Sequence, residues 1–259
     1  MGSGAGHIHR AAAVGFARAG ADYEQGRPGY PPAAMARLAA ELGLGPGRVV
    51  LDLAAGTGKL TRAVASTGAE LVAVEPVADM RAQLQLSLPQ ASVLPGTAES
   101  IPLPAASVDA VVVGQAFHWF DAPAAAREIH RVLRPGGALA VTWNAWNESV
   151  RWVKRVQALV HEHVHGAPQQ RTSRWPQELA RTGLFSELGR ETFGNPVHGD
   201  LDRLKAQVAS VSYISALDPA GRGRVLEAVT QIVTEDPQTR GRATFDMPYM
   251  TTLTWWRRC

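Results

Sequence analysis

Apolar residues fall in short, unbroken runs through the first part of this chain, and stretches of helical length separate them. Val49–Leu53, Leu71–Glu75, Ser92–Leu94, Val108–Gly114 and Ala138–Trp143 carry the valine- and leucine-rich runs expected of buried strands. Helices are expected over Leu60–Ser66, Ala78–Leu86 and Pro123–Leu133, with turns at Gly68 and at Pro135-Gly136-Gly137. Pro31-Pro32 opens an earlier helix that reaches about Leu42, because proline is tolerated in a first turn. Residues 1–20 are small at first and weakly helical near Val14-Gly15-Phe16.

Strands that are apolar throughout and joined by helices predict a parallel sheet covered on both faces. The order βαβαβ from Val49 is the doubly wound pattern, whose ligand lies beyond the carboxyl ends of the strands. After Asn144 the text changes. Ser149–Val164, Pro176–Thr182, Asp200–Tyr213 and Pro219–Val233 read as helices, Arg190–Phe193 as a strand, and Ala243–Trp256 as the closing strand. The expectation is an α/β fold: a mostly parallel seven-stranded sheet with a helical insertion before the last strand. One domain over 1–259 is expected, with cap helices over 1–47, a ligand-binding core over 48–144 and acceptor-side elements over 145–259.

Composition narrows the class. At 259 residues and 46% hydrophobic content, the chain can bury a sizeable core. It has no apolar run near the ~20 residues of a membrane span, and its first residues lack the apolar segment of a signal peptide. A single cysteine excludes an intramolecular disulfide and fits a reducing cytoplasm. The net charge of +3 comes from scattered arginines, with only Lys59, Lys154 and Lys205 as lysines. Without a basic stripe, neither a nucleic-acid partner nor a membrane surface is expected.

The loop after Val49–Leu53, Ala54-Ala55-Gly56-Thr57-Gly58, lets backbone approach a nucleoside closely. Three chemistries use such loops. A phosphate-binding loop needs Gly-x-x-x-x-Gly-Lys-Ser/Thr, but Leu53 stands at the first glycine and Leu60 at the hydroxyl residue. A dinucleotide fingerprint fits Gly56-Thr57-Gly58 and ends in Thr61, with Glu75 placed for a ribose. A hydride-transfer enzyme also needs a proton donor, and none of the four tyrosines has the lysine four residues on that the common Tyr-x-x-x-Lys pair requires. An NAD(P)-dependent oxidoreductase is the runner-up among the nucleotide readings.

The third option is carried by a succession: Asp52 to Gly58, Val74-Glu75-Pro76, Gly96-Thr97-Ala98-Glu99, Gln115-Ala116-Phe117-His118-Trp119 and Leu133 to Gly137. Together these resemble the class I S-adenosylmethionine-dependent methyltransferases. The segments Tyr23 to Pro31 and Phe117 to Asp121 look like the subgroup of trans-aconitate and cantharidin methyltransferases, which methylate carboxylates of small molecules. Ala54 replaces the family's first loop glycine, and the turn is expected to survive if φ there stays negative.

The resemblance implies S-adenosylmethionine as cofactor and S-adenosylhomocysteine as product. Ala54, Gly56, Thr57 and Gly58 would present backbone to the methionine part, with Asp52 near its ammonium and Gln115 beside it. Glu75 would hold the ribose diol, Met80 one adenine face, and Ala98 and Glu99 the adenine edge. Tyr23 and Arg27 would close over the cofactor carboxylate. Tyr30, His118, Trp119 and Trp146 are candidates for the acceptor side, with His118 the candidate catalytic residue and a structural hydrogen bond its alternative. The implied reaction is methyl transfer to a small molecule, with oxygen favoured. N- or C-methylation, an NAD(P)-dependent oxidoreductase and a non-catalytic cofactor-binding scaffold are the alternatives.

Two features invite other readings. His161-Glu162-His163-Val164-His165 matches the zinc-protease motif, yet it lies at a helix end before Gly166-Ala167-Pro168 and has no third ligand apparent. A solvated polar helix end is the reading, and no metal is expected. Trp143 and Trp256 read as packing residues.

Overall fold

A computed structural model describes residues 28–163 and 174–259. Seven strands form one sheet in the order β3-β2-β1-β4-β5-β7-β6. The first five are β1 (Val49–Leu53), β2 (Glu70–Val74), β3 (Ser92–Leu94), β4 (Val108–Gly114) and β5 (Leu133–Trp146), all parallel to their neighbours among themselves. β7 (Phe245–Arg258) slots between β5 and the edge strand β6 (Phe185–Gly199), antiparallel to both. The sheet is therefore mostly parallel, as the unbroken apolar runs require: the described side chains of β4 are buried from Val108 to Val113.

Helix α1 (Pro32–Leu42) precedes β1, and α2 (Lys59–Ala65), α3 (Ala78–Ser87) and α4 (Ala122–Val132) connect parallel strands. α4 begins where Asp121 accepts the Ala124 N–H at 3.0 Å, with proline in its first turn. Its Ala125, Ala126, Ile129 and Val132 bury one face against the sheet layer of Leu51, Val111, Val113 and Leu139. The opposite layer packs Leu38, Leu60, Val64 and Leu84 on Val50, Ala110 and Val112. A third cluster lies beyond the sheet, where α5 (Arg151–His161), α7 (Leu201–Ala209), α8 (Ser212–Ser215) and α9 (Pro219–Glu235) meet Phe245, Met247 and Tyr249 of β7. Helix α6 (Trp175–Arg181) precedes β6.

Three segments differ from the sequence expectation. Pro135-Gly136-Gly137, expected as a turn, lies within β5, whose pairing with β4 shifts register between Val108 and Ala110. A Cβ at Gly137 would sit 2.9 Å from the Asp109 carbonyl, so glycine there permits backbone contact inside an irregular strand. Asp200–Tyr213, expected as one helix, is α7 followed by the short α8. β6 is much longer than Arg190–Phe193, because β7 pairs with it from Phe185 to Gly199. No helix among the described residues is long and apolar enough to cross a membrane. The weak helix near Val14, and Tyr23, Arg27 and His165, lie outside the described residues.

Candidate active site

Strand order reverses between β1 and β4, and a doubly wound sheet leaves its crevice at that switch point. The loop 54–58 leaves β1 there and enters α2. Ala54, Gly56 and Gly58 have φ of +58°, +58° and +85°. The expectation for Ala54 is thus corrected: the turn is kept with a left-handed alanine, not a negative φ. That conformation costs an L-residue roughly 1–2 kcal/mol, and surrounding bonds hold it. Ala55 N–H donates to the Val74 carbonyl at 3.2 Å and Gly58 N–H to the Ala55 carbonyl at 2.9 Å. Arg62 reaches back to the Thr57 carbonyl at 2.7 Å. Ala54→Gly is expected to raise Tm, by ~2–4 °C for each kcal/mol relieved, with cofactor affinity unchanged; thermal denaturation with calorimetry checks both.

Two carboxylates flank this loop. Asp52, on β1, is 2% exposed, and its Oδ2 accepts the Thr61 hydroxyl at 2.6 Å. Its Oδ1 is buried without a hydrogen-bond partner. Burial pushes the Asp52 pKa up to about 7, against hydrogen bonds from Thr61, with nearby Glu75 adding to the rise. Thr61 is the residue that spoils the dinucleotide pattern, and its hydroxyl binds this acid. Glu75 follows β2 directly; its Oε2 accepts the Gly56 N–H and its Oε1 the Val77 N–H, each at 2.9 Å. Burial raises its pKa, partly countered by these two N–H groups and by Arg81.

These residues fit the donor that the sequence resemblance implies. A buried carboxylate oxygen without a partner suits an ammonium group, and a carboxylate at the end of the second strand suits a diol. Met80 is buried on α3, and a Cβ at Gly56 would lie 3.9 Å from its sulfur, which puts Met80 beside the loop as well as in the helix core. Ala98 is buried, whereas the Glu99 carboxylate accepts the Asp121 N–H at 3.0 Å and so also ties its loop to α4. Gln115 follows β4 with φ of +61°, and its Nε2 donates to the Asn144 carbonyl at 3.3 Å.

His118 lies in a 3-10 turn, Phe117–Trp119, just past the β4 end. Its ring centroid is 4.6 Å from that of Trp119 and 5.2 Å from that of Trp143. Trp175, which the sequence reading gave no role, packs on Phe117 at 4.6 Å and on Trp256 at 6.0 Å. Trp143 and Trp256 are core residues, as read from the sequence. Trp146 packs against Tyr249 and Trp152 at the third cluster. The Tyr30 hydroxyl meets the end of β4, 2.5 Å from where a Cβ of Gly114 would be. His161 ends α5, and no group of His, Cys, Asp or Glu among the described residues is placed to hold a metal.

The methyltransferase-domain family model matches residues 51–141, the stretch from β1 through most of β5. An uncharacterized methyltransferase of Mycobacterium tuberculosis is 37% identical over 238 residues, covering 92% of this chain and 93% of its own. The malonyl-acyl-carrier-protein O-methyltransferase of Enterobacter lignolyticus is 29% identical over 201 residues, 76% of this chain and 77% of its own. Among solved structures, a proposed type II methyltransferase from Anaeromyxobacter dehalogenans superposes with a TM-score of 0.63 at 24% identity, covering 89% and 96% of the two chains. The chain belongs to the class I S-adenosylmethionine-dependent methyltransferases. It is an enzyme of methyl transfer, and the donor its family implies is S-adenosylmethionine.

Proposed function

We propose that this enzyme methylates an oxygen atom of a small molecule, a carboxylate ahead of a hydroxyl, as the subgroup of trans-aconitate and cantharidin methyltransferases does. The observation that carries this reading is the setting of His118, an imidazole in contact with two indole rings just beyond β4. Such a site offers flat apolar walls and one group able to carry positive charge. The O-methyltransferase name of the Enterobacter relative agrees with an oxygen acceptor.

In this reading residues 48–144 hold the donor and 145–259 the acceptor side. Asp52 and the backbone of Ala54, Gly56, Thr57 and Gly58 hold the amino-acid part, with Gln115, Tyr23 and Arg27 beside it. Glu75 holds the ribose, and Met80, Ala98 and Glu99 the adenine. S-adenosylmethionine supplies a methyl group already activated on a sulfonium, so the chain's task is alignment. Tyr30, His118, Trp119 and Trp146 orient the acceptor. A carboxylate is ionised above its pKa of ~4 and needs no base, whereas a hydroxyl must lose a proton.

The pH profile separates these acceptors. With a carboxylate, His118 acts as a cation and activity falls as the imidazole deprotonates. With a hydroxyl or amine, His118 is the base and activity rises through the same range. A screen of carboxylic acids with methyl-labelled donor is the direct assay. A methyl ester releases its label as methanol in alkali, whereas ether, N-methyl and C-methyl products retain it. Products that all keep their label would refute the carboxylate assignment. His118→Asn and His118→Ala are each expected to lower kcat by about 10²-fold or more if the group is a base. Wild-type rates in both variants would leave His118 a packing residue.

A further inference from the structure

Asn144, Asn195 and Thr251 sit on three adjacent strands, β5, β6 and β7, and the sequence motifs give none of them a role. Asn144 and Thr251 are direct cross-strand partners, and Asn195 lies on the diagonal. Their side chains close a ring. Thr251 Oγ1 donates to Asn144 Oδ1 at 2.5 Å, and Asn195 Nδ2 donates to Thr251 Oγ1 at 3.0 Å. Both amides then point at one short segment. Asn144 Nδ2 donates to the Gly29 carbonyl at 2.9 Å, and Asn195 Nδ2 donates to the same oxygen at 2.8 Å. Thr251 is fully buried and Asn195 nearly so. A polar ring in such a place destabilises the fold unless every member is bonded, and here each member is.

The held segment leads straight into Tyr30, whose hydroxyl closes over Gly114 beside Leu60 at the switch point. The backbone of Asn144 is tied into the same place, since its carbonyl accepts from Gln115. We infer that Asn144, Asn195 and Thr251 are positioning residues: a latch that fixes Gly29 and thereby holds Tyr30, assigned above to the acceptor, at the end of β4 where it also borders the donor site. The latch acts on the ligand only through Tyr30. This rests on the assignment of the crevice at β1 and β4 as the donor site.

Calorimetry with S-adenosylhomocysteine tests the latch without knowledge of the acceptor. Thr251→Val removes the hydroxyl at nearly constant volume and is expected to weaken binding about tenfold, whereas Thr251→Ser restores the hydroxyl and wild-type affinity. Asn195→Ala, on the edge strand, gives the same loss and serves if the buried valine variant does not fold. Tyr30→Ala is expected to weaken binding by a similar factor. The double variant Thr251→Val/Tyr30→Ala should bind no more weakly than Tyr30→Ala, because a latch has nothing left to position. Additive losses, or unchanged affinity in Thr251→Val and Asn195→Ala despite a lowered Tm, would overturn the latch and leave the donor site standing. Failure of the unmodified protein to bind S-adenosylhomocysteine would overturn the donor site and the latch together.

Discussion

Glu75→Ala is expected to reduce affinity for S-adenosylhomocysteine by two orders of magnitude or more while NAD remains a poor ligand. Two charge-assisted hydrogen bonds to a ribose diol, each worth ~1.5–3 kcal/mol, account for that size of loss. The carboxylate also accepts the Gly56 and Val77 N–H groups, so its removal loosens the loop after β1 as well. Glu75→Gln keeps one acceptor oxygen and should fall between wild type and alanine. Calorimetry against both ligands decides the matter. Tight NAD binding with no response to S-adenosylhomocysteine would contradict the donor site.

The second large effect concerns Asp52. Its carboxyl, raised to about 7 chiefly by burial, is about half protonated at neutral pH. An ammonium brought to the empty side of this carboxylate favours the charged form, so ligand binding must drive the proton off. Binding of S-adenosylhomocysteine is expected to release about half a proton at pH 7 and about a tenth at pH 8. Titrations in buffers of different ionisation enthalpy measure that number directly. Affinity should therefore rise from pH 6 to pH 8, and Asp52→Asn should bind more weakly with neither the release nor the rise. The free protein carries the opposite signature. An acid whose folded pKa lies above its unfolded value costs nothing below pH 3.8 and progressively more up to about pH 7. The full cost is on the order of 4 kcal/mol. Wild-type Tm should accordingly fall relative to Asp52→Asn between pH 4 and pH 7, and parallel Tm profiles would refute the raised pKa.

The parallel half of the sheet was legible because strands buried on both faces leave only one reading. Val108–Gly114 has no alternation that a helix or an exposed strand would need. The edge strand was not legible. β6 contains Gly189, Gly194 and Pro196, is largely exposed, and owes its length to its ladder with β7. Glu75 and the loop 54–58 could be placed from sequence because a tight turn after a strand fixes their positions. Thr61, Asn195 and Thr251 could not, since their value comes from partners between nine and 166 residues away. The backbone at Ala54 was misjudged for a related reason: a single non-glycine φ is set by neighbouring strands and helices, which local composition does not encode.

The ladder between β6 and β7 runs to the pair Gly199 and Phe245. The three helices α7, α8 and α9 therefore leave the sheet and return to it at adjacent points, like a cassette plugged into the end of a hairpin. Closing a long excursion costs only slightly more than closing a short one, so residues can be added or removed there without shifting the register of either strand. Their packing partners are α5 and the first residues of β7, in a cluster separate from the two that pack the parallel strands. Natural variation in this cassette can thus remodel what surrounds Trp146 and Tyr249 while the donor half keeps its geometry. A change of acceptor in this lineage should appear first as insertions and deletions between residues 200 and 244.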